Sequence, residues 1–122
     1  MEAGKGFDAI IARQVMGWTK TTLQNDVIGP EAYWCMGGKA MAPVDSFTPS
    51  TDIASAWKVV EHLLCHGWDE KHFFQLHYDN VDLWDASFYK EPSGDGGGPD
   101  VWGTAPTAPL AICLAALKAV QP

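Results

Sequence analysis

The sequence predicts an α+β fold in the order α-β-β-α-β-β-α, with four strands in an antiparallel sheet. Three observations predict it. Phe47 to Gly67 carries an uninterrupted helical period, two pairs of short β-like runs each flank a turn signal, and the C-terminal segment is a nearly all-apolar helix. With 122 residues, 47% of them hydrophobic and 19% charged, the chain can bury one core but hardly two. One domain over 1–122 is therefore expected, with a flexible leader at 1–6.

The first helix runs from Phe7, with Phe7, Ile10, Ile11 and Val15 on one face, Arg13 and Met16 pointing elsewhere, and Gly17 as the stop. Thr19 to Glu31 follows neither a helical nor a strand period and contains Gly29-Pro30, so it reads as an irregular connection carrying Lys20, Thr21 and Thr22. Ala32 to Met36 and Lys39 to Val44 flank Gly37-Gly38, a pair that accepts the positive φ angles of a two-residue hairpin turn. Tyr33 and Cys35 then face one side, Trp34 and Met36 the other.

The central helix has Thr48, Ser50 or Thr51 as cap, Pro49 at a first helical position if Thr48 caps, and Asp52 in the first turn. Ile53, Ala56, Trp57, Val60 and Leu64 form its stripe, with Trp57 in the core and Gly67 as the stop. Such a stripe needs a sheet to cover. Lys71 to Tyr78 alternates Phe74, Leu76 and Tyr78 with Phe73, Gln75 and His77. After the Asp79-Asn80 turn, Asp82 to Tyr89 alternates Trp84, Ala86 and Phe88 with Asp85, Ser87 and Tyr89. Residues 91–100 hold the glycines and prolines of a flexible loop or lid.

The third helix, Thr104 to Pro122, has Thr104 and Thr107 as cap candidates and places Leu110, Cys113, Leu114 and Leu117 on one stripe. Ile112, Ala115, Ala116 and Ala119 make its other faces apolar too, which predicts a second covering surface and, in so small a domain, a homo-oligomer.

A formal net charge of -7, with Arg13 the sole arginine, argues against a nucleic-acid polymer as partner, because polyphosphate contacts need clustered cations. Small anions are not excluded, since helix N-termini can hold one or two phosphates. Cys35, Cys65 and Cys113 are widely spaced in apolar or helical stretches, which reads as buried free thiols in a reducing compartment. No stretch has the makings of a secretory leader or approaches the ~20 apolar residues of a membrane span, so a soluble, cytoplasmic protein without a membrane partner is expected.

FDAIIARQVMGW, FTPSTDIASAWKVVEHL and TAPLAICLAALKAV, in this order, resemble the phage ABA sandwich domain family of small phage and prophage proteins. The resemblance implies an α/β/α sandwich with an antiparallel sheet between helices. It implies no activity and carries over no catalytic motif, because the matching blocks are structural.

Chemistry-bearing residues are sparse. His62 and His66 lie four apart around Cys65, a ligand spacing, yet they point away from the stripe and read as a solvated face unless His72 joins them; no metal site is assigned. His77 near Asp79 and Asp82 has the makings of a general base, but no nucleophile accompanies it, so no catalytic residues are assigned. No phosphate-binding glycine motif occurs, and no cofactor is expected.

The aromatics are more suggestive, since a ring face stacks on a base without needing positive charge. Trp84, Tyr89, Lys90, Trp102, Thr104 and Thr107 flank the glycine-rich loop and form the predicted ligand site, with Trp102 just before a helix N-terminus that supplies N–H donors. Together with the phage resemblance, this leads to a non-enzymatic anti-defence protein that sequesters a small nucleotide immune signal of the Thoeris or CBASS type. A protein-interaction module using the apolar third helix, and a small hydrolase using His77, are the alternatives.

Overall fold

Among the described residues six strands, not four, form the sheets. The computed structural model describes residues 2–25, 29–67, 72–78, 82–90 and 101–120, with the backbone alone at 23–25, 29–30, 66–67, 72 and 89–90. Helix α1 (Lys5–Ile10) continues through a wider π-type turn (Ile11–Val15). It is followed by strands β1 (Thr19–Asn25), β2 (Gly29–Met36) and β3 (Lys39–Pro43), helix α2 (Ile53–His62), strands β4 (His72–Tyr78), β5 (Trp84–Lys90) and β6 (Val101–Ala105), and helix α3 (Ala108–Val120). The expected four-stranded sheet is replaced by two three-stranded antiparallel sheets, β1-β2-β3 and β4-β5-β6. The molecule is thus a mixed α+β structure that fits an α/β/α sandwich broadly.

Both extra strands lie where the sequence shows no period. In β1 the side chains of Thr19 to Thr22 are all exposed, so no apolar alternation marks the strand, although threonine suits extended backbone. Gly29-Pro30 does not punctuate a loop but begins β2, with Pro30 opposite Gln24. β6 takes up Thr104, which was expected to cap α3. The helix instead starts at Ala108, and the Thr107 carbonyl accepts from the Ala111 N–H at 3.1 Å.

The hairpins themselves form as expected. Gly37 and Gly38 adopt φ of 58° and 82°, the double positive turn that matches strand twist. Phe74, Leu76 and Tyr78 pair in register with Phe88, Ala86 and Trp84. Gly17 ends the first helix at φ 73°, with the Trp18 N–H donating to the Ala12 carbonyl at 2.9 Å.

The phase of α2 differs from the predicted stripe. Its buried face is Ala56, Val59, Val60 and Leu63, whereas Ile53, Trp57 and Leu64 are more than a third exposed. Trp57 is therefore not a core residue; its ring lies edge-on to Phe74 of β4 with centroids 5.4 Å apart. The cap is Asp52, whose Oδ2 accepts from the Ser55 N–H at 3.0 Å, and not Thr48, Ser50 or Thr51. Ser50 is committed elsewhere: its N–H donates to Asp8 Oδ1 at 2.8 Å and its Oγ accepts from the Gly4 N–H at 2.9 Å. That knot gives one oxygen of the buried Asp8 carboxylate a donor and ties α1, together with the segment expected to fray, to the turn before α2.

One core joins all layers. α3 lies on β5 and β6, with α2 and the π-type turn after α1 on its other flanks. Ile112, Ala115 and Ala116 are consequently buried by the chain itself, so α3 needs no second subunit to cover it. Met16 is buried as well, contrary to the helical-face assignment, and so are Trp18 and Trp34. Of the cysteines, Cys35 and Cys113 are buried but Cys65 is exposed. The predicted 91–100 loop and the Asp79-Asn80 turn lie outside the described residues.

Candidate functional site

Strand alternation decides what the second sheet offers to solvent. Residues 84, 86 and 88 of β5 and 101, 103 and 105 of β6 turn toward α3, where Ala86, Phe88 and Ala105 are buried. The opposite face carries the intervening side chains. Register places them in two rows across the three strands, Gln75-Ser87-Trp102 and His77-Asp85-Thr104. These six residues line an open groove of about 510 Å³.

Within the groove, the Thr104 hydroxyl donates to Asp85 Oδ1 at 2.6 Å, which fixes one carboxylate oxygen and leaves the other side of Asp85 toward His77 in the same row. Trp102 is 54% exposed, the largest exposure among the big apolar side chains described. The Lys118 ammonium reaches round from α3 to 5.7 Å from its ring centroid, a cation–π distance. The face thus combines one flat π-surface, a cation at its edge, and hydrogen-bonding groups of both kinds on Gln75, Ser87, His77 and Asp85. Chemically it can stack a planar ring and read the polar edge of that ring.

The six residues of the sequence-predicted site do not come together. Trp102 and Thr104 share the groove. Trp84 lies on the opposite face of the sheet, 5.0 Å from Tyr78 by ring centroids. Thr107 is exposed at the start of α3, while Tyr89 and Lys90 end β5 with side chains outside those described. The junction with a helix N-terminus does not form, because Thr104 is a strand residue and α3 starts four residues later. His77 is next to Asp85, not to Asp82, whose Oδ1 accepts from the Tyr78 hydroxyl at 2.9 Å; Asp79 lies outside the described residues. Gln75, Asp85 and Ser87 lie outside the ligand set that the sequence predicts, though it shows their alternation with Phe74, Ala86 and Phe88.

No three His, Cys, Asp or Glu side chains gather as a metal site among the described residues, and no described helix is long and apolar enough to cross a membrane. No curated protein and no solved structure matches the chain. The model of one family, the phage ABA sandwich domain, matches residues 9–117, a span that takes in the end of α1, the π-type turn after it, both sheets and most of α3. The chain therefore belongs to the phage ABA sandwich domain family.

Proposed function

We propose that this phage-family protein binds and sequesters a small nucleotide-derived immune signal of the Thoeris or CBASS type, without cleaving it, in the cytoplasm of the infected host. The observation that carries the reading is the half-exposed Trp102 with Lys118 at its ring, beside two rows of polar side chains on a sheet face. A heteroaromatic base fits this chemistry. Its π-face stacks on the indole, its polar edge meets Ser87, Gln75 or Asp85, and Lys118 lies close to the attached phosphates. The groove falls within the ~300–1,000 Å³ of sites that take ligands of this size. Because the chain is acidic overall, stacking and edge hydrogen bonds supply most of the affinity in this reading, and charge supplies less.

The same rows weigh against the alternatives. The interaction-module reading drew on an uncovered α3, and α3 is covered by the chain's own elements. The hydrolase reading needs His77 with neighbouring carboxylates; Asp82 is engaged with Tyr78, and Asp85, beside His77, has one oxygen held by the Thr104 hydroxyl.

Incubation with cyclic dinucleotides and ADP-ribose derivatives, followed by heat denaturation, tests the proposal. Recovery of intact ligand that was withheld from its receptor before heating is the expected result, and Trp102→Ala should weaken capture by ~1–3 kcal/mol. Recovery of a cleaved product, or undiminished capture by a folded Trp102→Ala variant, overturns it.

A further inference from the structure

A second cavity lies at the other sheet, lined by residues of α1, its π-type turn, β1 and β2. Its volume is about 270 Å³, and Lys5, Asp8, Arg13, Lys20, Trp34 and Phe47 are among its lining residues. Three of the eight Lys and Arg residues of an acidic chain thus converge on one small space. Strand register explains part of this convergence. Lys20 of β1 pairs directly with Trp34 of β2, so both side chains leave the sheet on the same face. Arg13 comes from the helical side and sets its guanidinium carbon 5.5 Å from the centroid of the Trp34 ring.

The charges do not cancel within the cavity. Lys5, Arg13 and Lys20 stand against the two carboxylates Asp8 and Asp45, which leaves one positive charge over; Lys5 pairs with Asp45 at 3.4 Å, and one oxygen of Asp8 accepts from the Ser50 N–H. Arg13 and Lys20 have no carboxylate partner among the described residues.

A separate observation points to a ligand. Trp34 is 1% exposed, yet its indole N–H has no acceptor, the sole such buried side-chain donor or acceptor among the described residues. A buried donor without a partner is rare in folded proteins, because removal from water costs it a hydrogen bond that nothing replaces. A ring that lines a cationic cavity and lacks an acceptor is matched by an oxygen-rich anion.

We propose that this cavity is a binding site for a compact oxyanion, phosphate or the terminal phosphate of a larger molecule, held by Arg13 and Lys20 and accepting from the Trp34 N–H. The cavity is slightly smaller than the ~300–1,000 Å³ of sites that enclose drug-sized ligands, which favours a single charged group over a whole nucleotide. Arg13 supplies the planar fork that matches two oxyanion oxygens, and Lys20 a mobile point charge. The site shares no residue with the Trp102 groove and stands independently of it.

The test follows the indole N–H resonance of Trp34 by ¹⁵N NMR, assigned through bonds, as inorganic phosphate, AMP or adenosine is added at constant ionic strength. Wild type should show a saturable shift of this resonance with phosphate or AMP and none with adenosine. Arg13→Gln with Lys20→Gln should weaken binding about a hundredfold or more, since each of the two charge-assisted hydrogen bonds lost is worth about tenfold or more. Lys39→Gln with Lys58→Gln, which changes net charge equally outside the cavity, should behave as wild type.

A response to phosphate itself identifies a free anion as sufficient. A response to AMP alone identifies the terminal group of a larger ligand. An unmoved Trp34 resonance with both, an equal response to adenosine, or equal weakening in the two double variants overturns the proposal. A Trp102→Ala variant should retain the shift, so failure of the groove and failure of this cavity are read separately.

Discussion

Gly103→Ala should be the most damaging single-methyl change in the second sheet. A Cβ built on Gly103 would lie 2.6 Å from both the Ala111 carbonyl oxygen and the Ala115 nitrogen, and 2.8 Å from Leu114 Cβ, against the 3.4 Å at which ordinary contact begins. Two of these three atoms are backbone of α3, so no rotamer change relieves the clash. α3 must move instead, and its far side is closed by α2 and the π-type turn after α1, with Ala111, Ile112, Ala115 and Ala116 fully buried.

Overpacking of this kind typically costs ~1–3 kcal/mol, and backbone on both sides puts it at the upper end. For a domain of this size that corresponds to a fall in Tm of about 6–15 °C. Gly17→Ala is the matched control. It has nothing within 4 Å of the new Cβ but sits at φ 73°, so it should lose only the ~1–2 kcal/mol of a left-handed alanine. Calorimetric melts of both variants decide the matter. A Gly103→Ala protein that melts within 2 °C or so of wild type would refute the close approach of β6 to α3.

Three further outcomes follow from the packing. Asp52→Ala should cost ~0.5–2 kcal/mol by removing the α2 cap, and Thr51→Ala almost nothing, measured by urea denaturation. Trp57→Ala should cost less than the ~3–5 kcal/mol of a fully buried Trp, because Trp57 retains 45% exposure; a loss in that full range would place it in the core after all. Burial, with a smaller contribution from the Asp8 charge, pushes the Cys113 thiol well above its ordinary value of 9.0. The folded state therefore keeps this proton while the unfolded state releases it, and stability should fall as pH rises past 9, by at most ~1.4 kcal/mol per pH unit. Cys113→Ala should flatten that fall, and an unchanged slope would contradict the assignment. In the same protein a thiol reagent should label exposed Cys65 first.

What could be read in the sequence was what leaves a chemical signature along the chain. Gly37-Gly38 announces its turn because only a two-residue loop with positive φ needs such a pair. Phe74, Leu76, Ala86 and Phe88 announce a covered face by alternation. β1 leaves no such signature, because Thr19, Lys20, Thr21 and Thr22 are all exposed polar residues and the strand is held by backbone pairing to β2. β6 is hidden differently: Val101 to Ala105 is five residues with a glycine in the middle, and the threonines beside it resemble helix caps. In α2 the apolar residues permit two stripes, one through Trp57 and one through Val59 and Leu63. The choice between them is made by α3, which no local pattern reveals.

The same blindness to pairing explains the site. Trp102 and Thr104 were legible as candidates, but assigning them to the approach of a helix put Thr107 beside them and left out Asp85, whose place is fixed by the register of β5 with β6. The net charge of -7 argues against a polyanion tracking a long surface but, as the sequence already allows, not against one charged group in a cavity. What matters at that scale is where the few cations stand. Arg13 and Lys20 are seven positions apart on elements of different kind, and both stand beside Trp34 because β1 pairs with β2 and the π-type turn carries Arg13 over the Trp34 ring. An acidic protein can therefore hold a locally cationic pocket, and its acidity sharpens selectivity: a long polyanion is repelled by the surrounding surface while a single compact oxyanion is admitted.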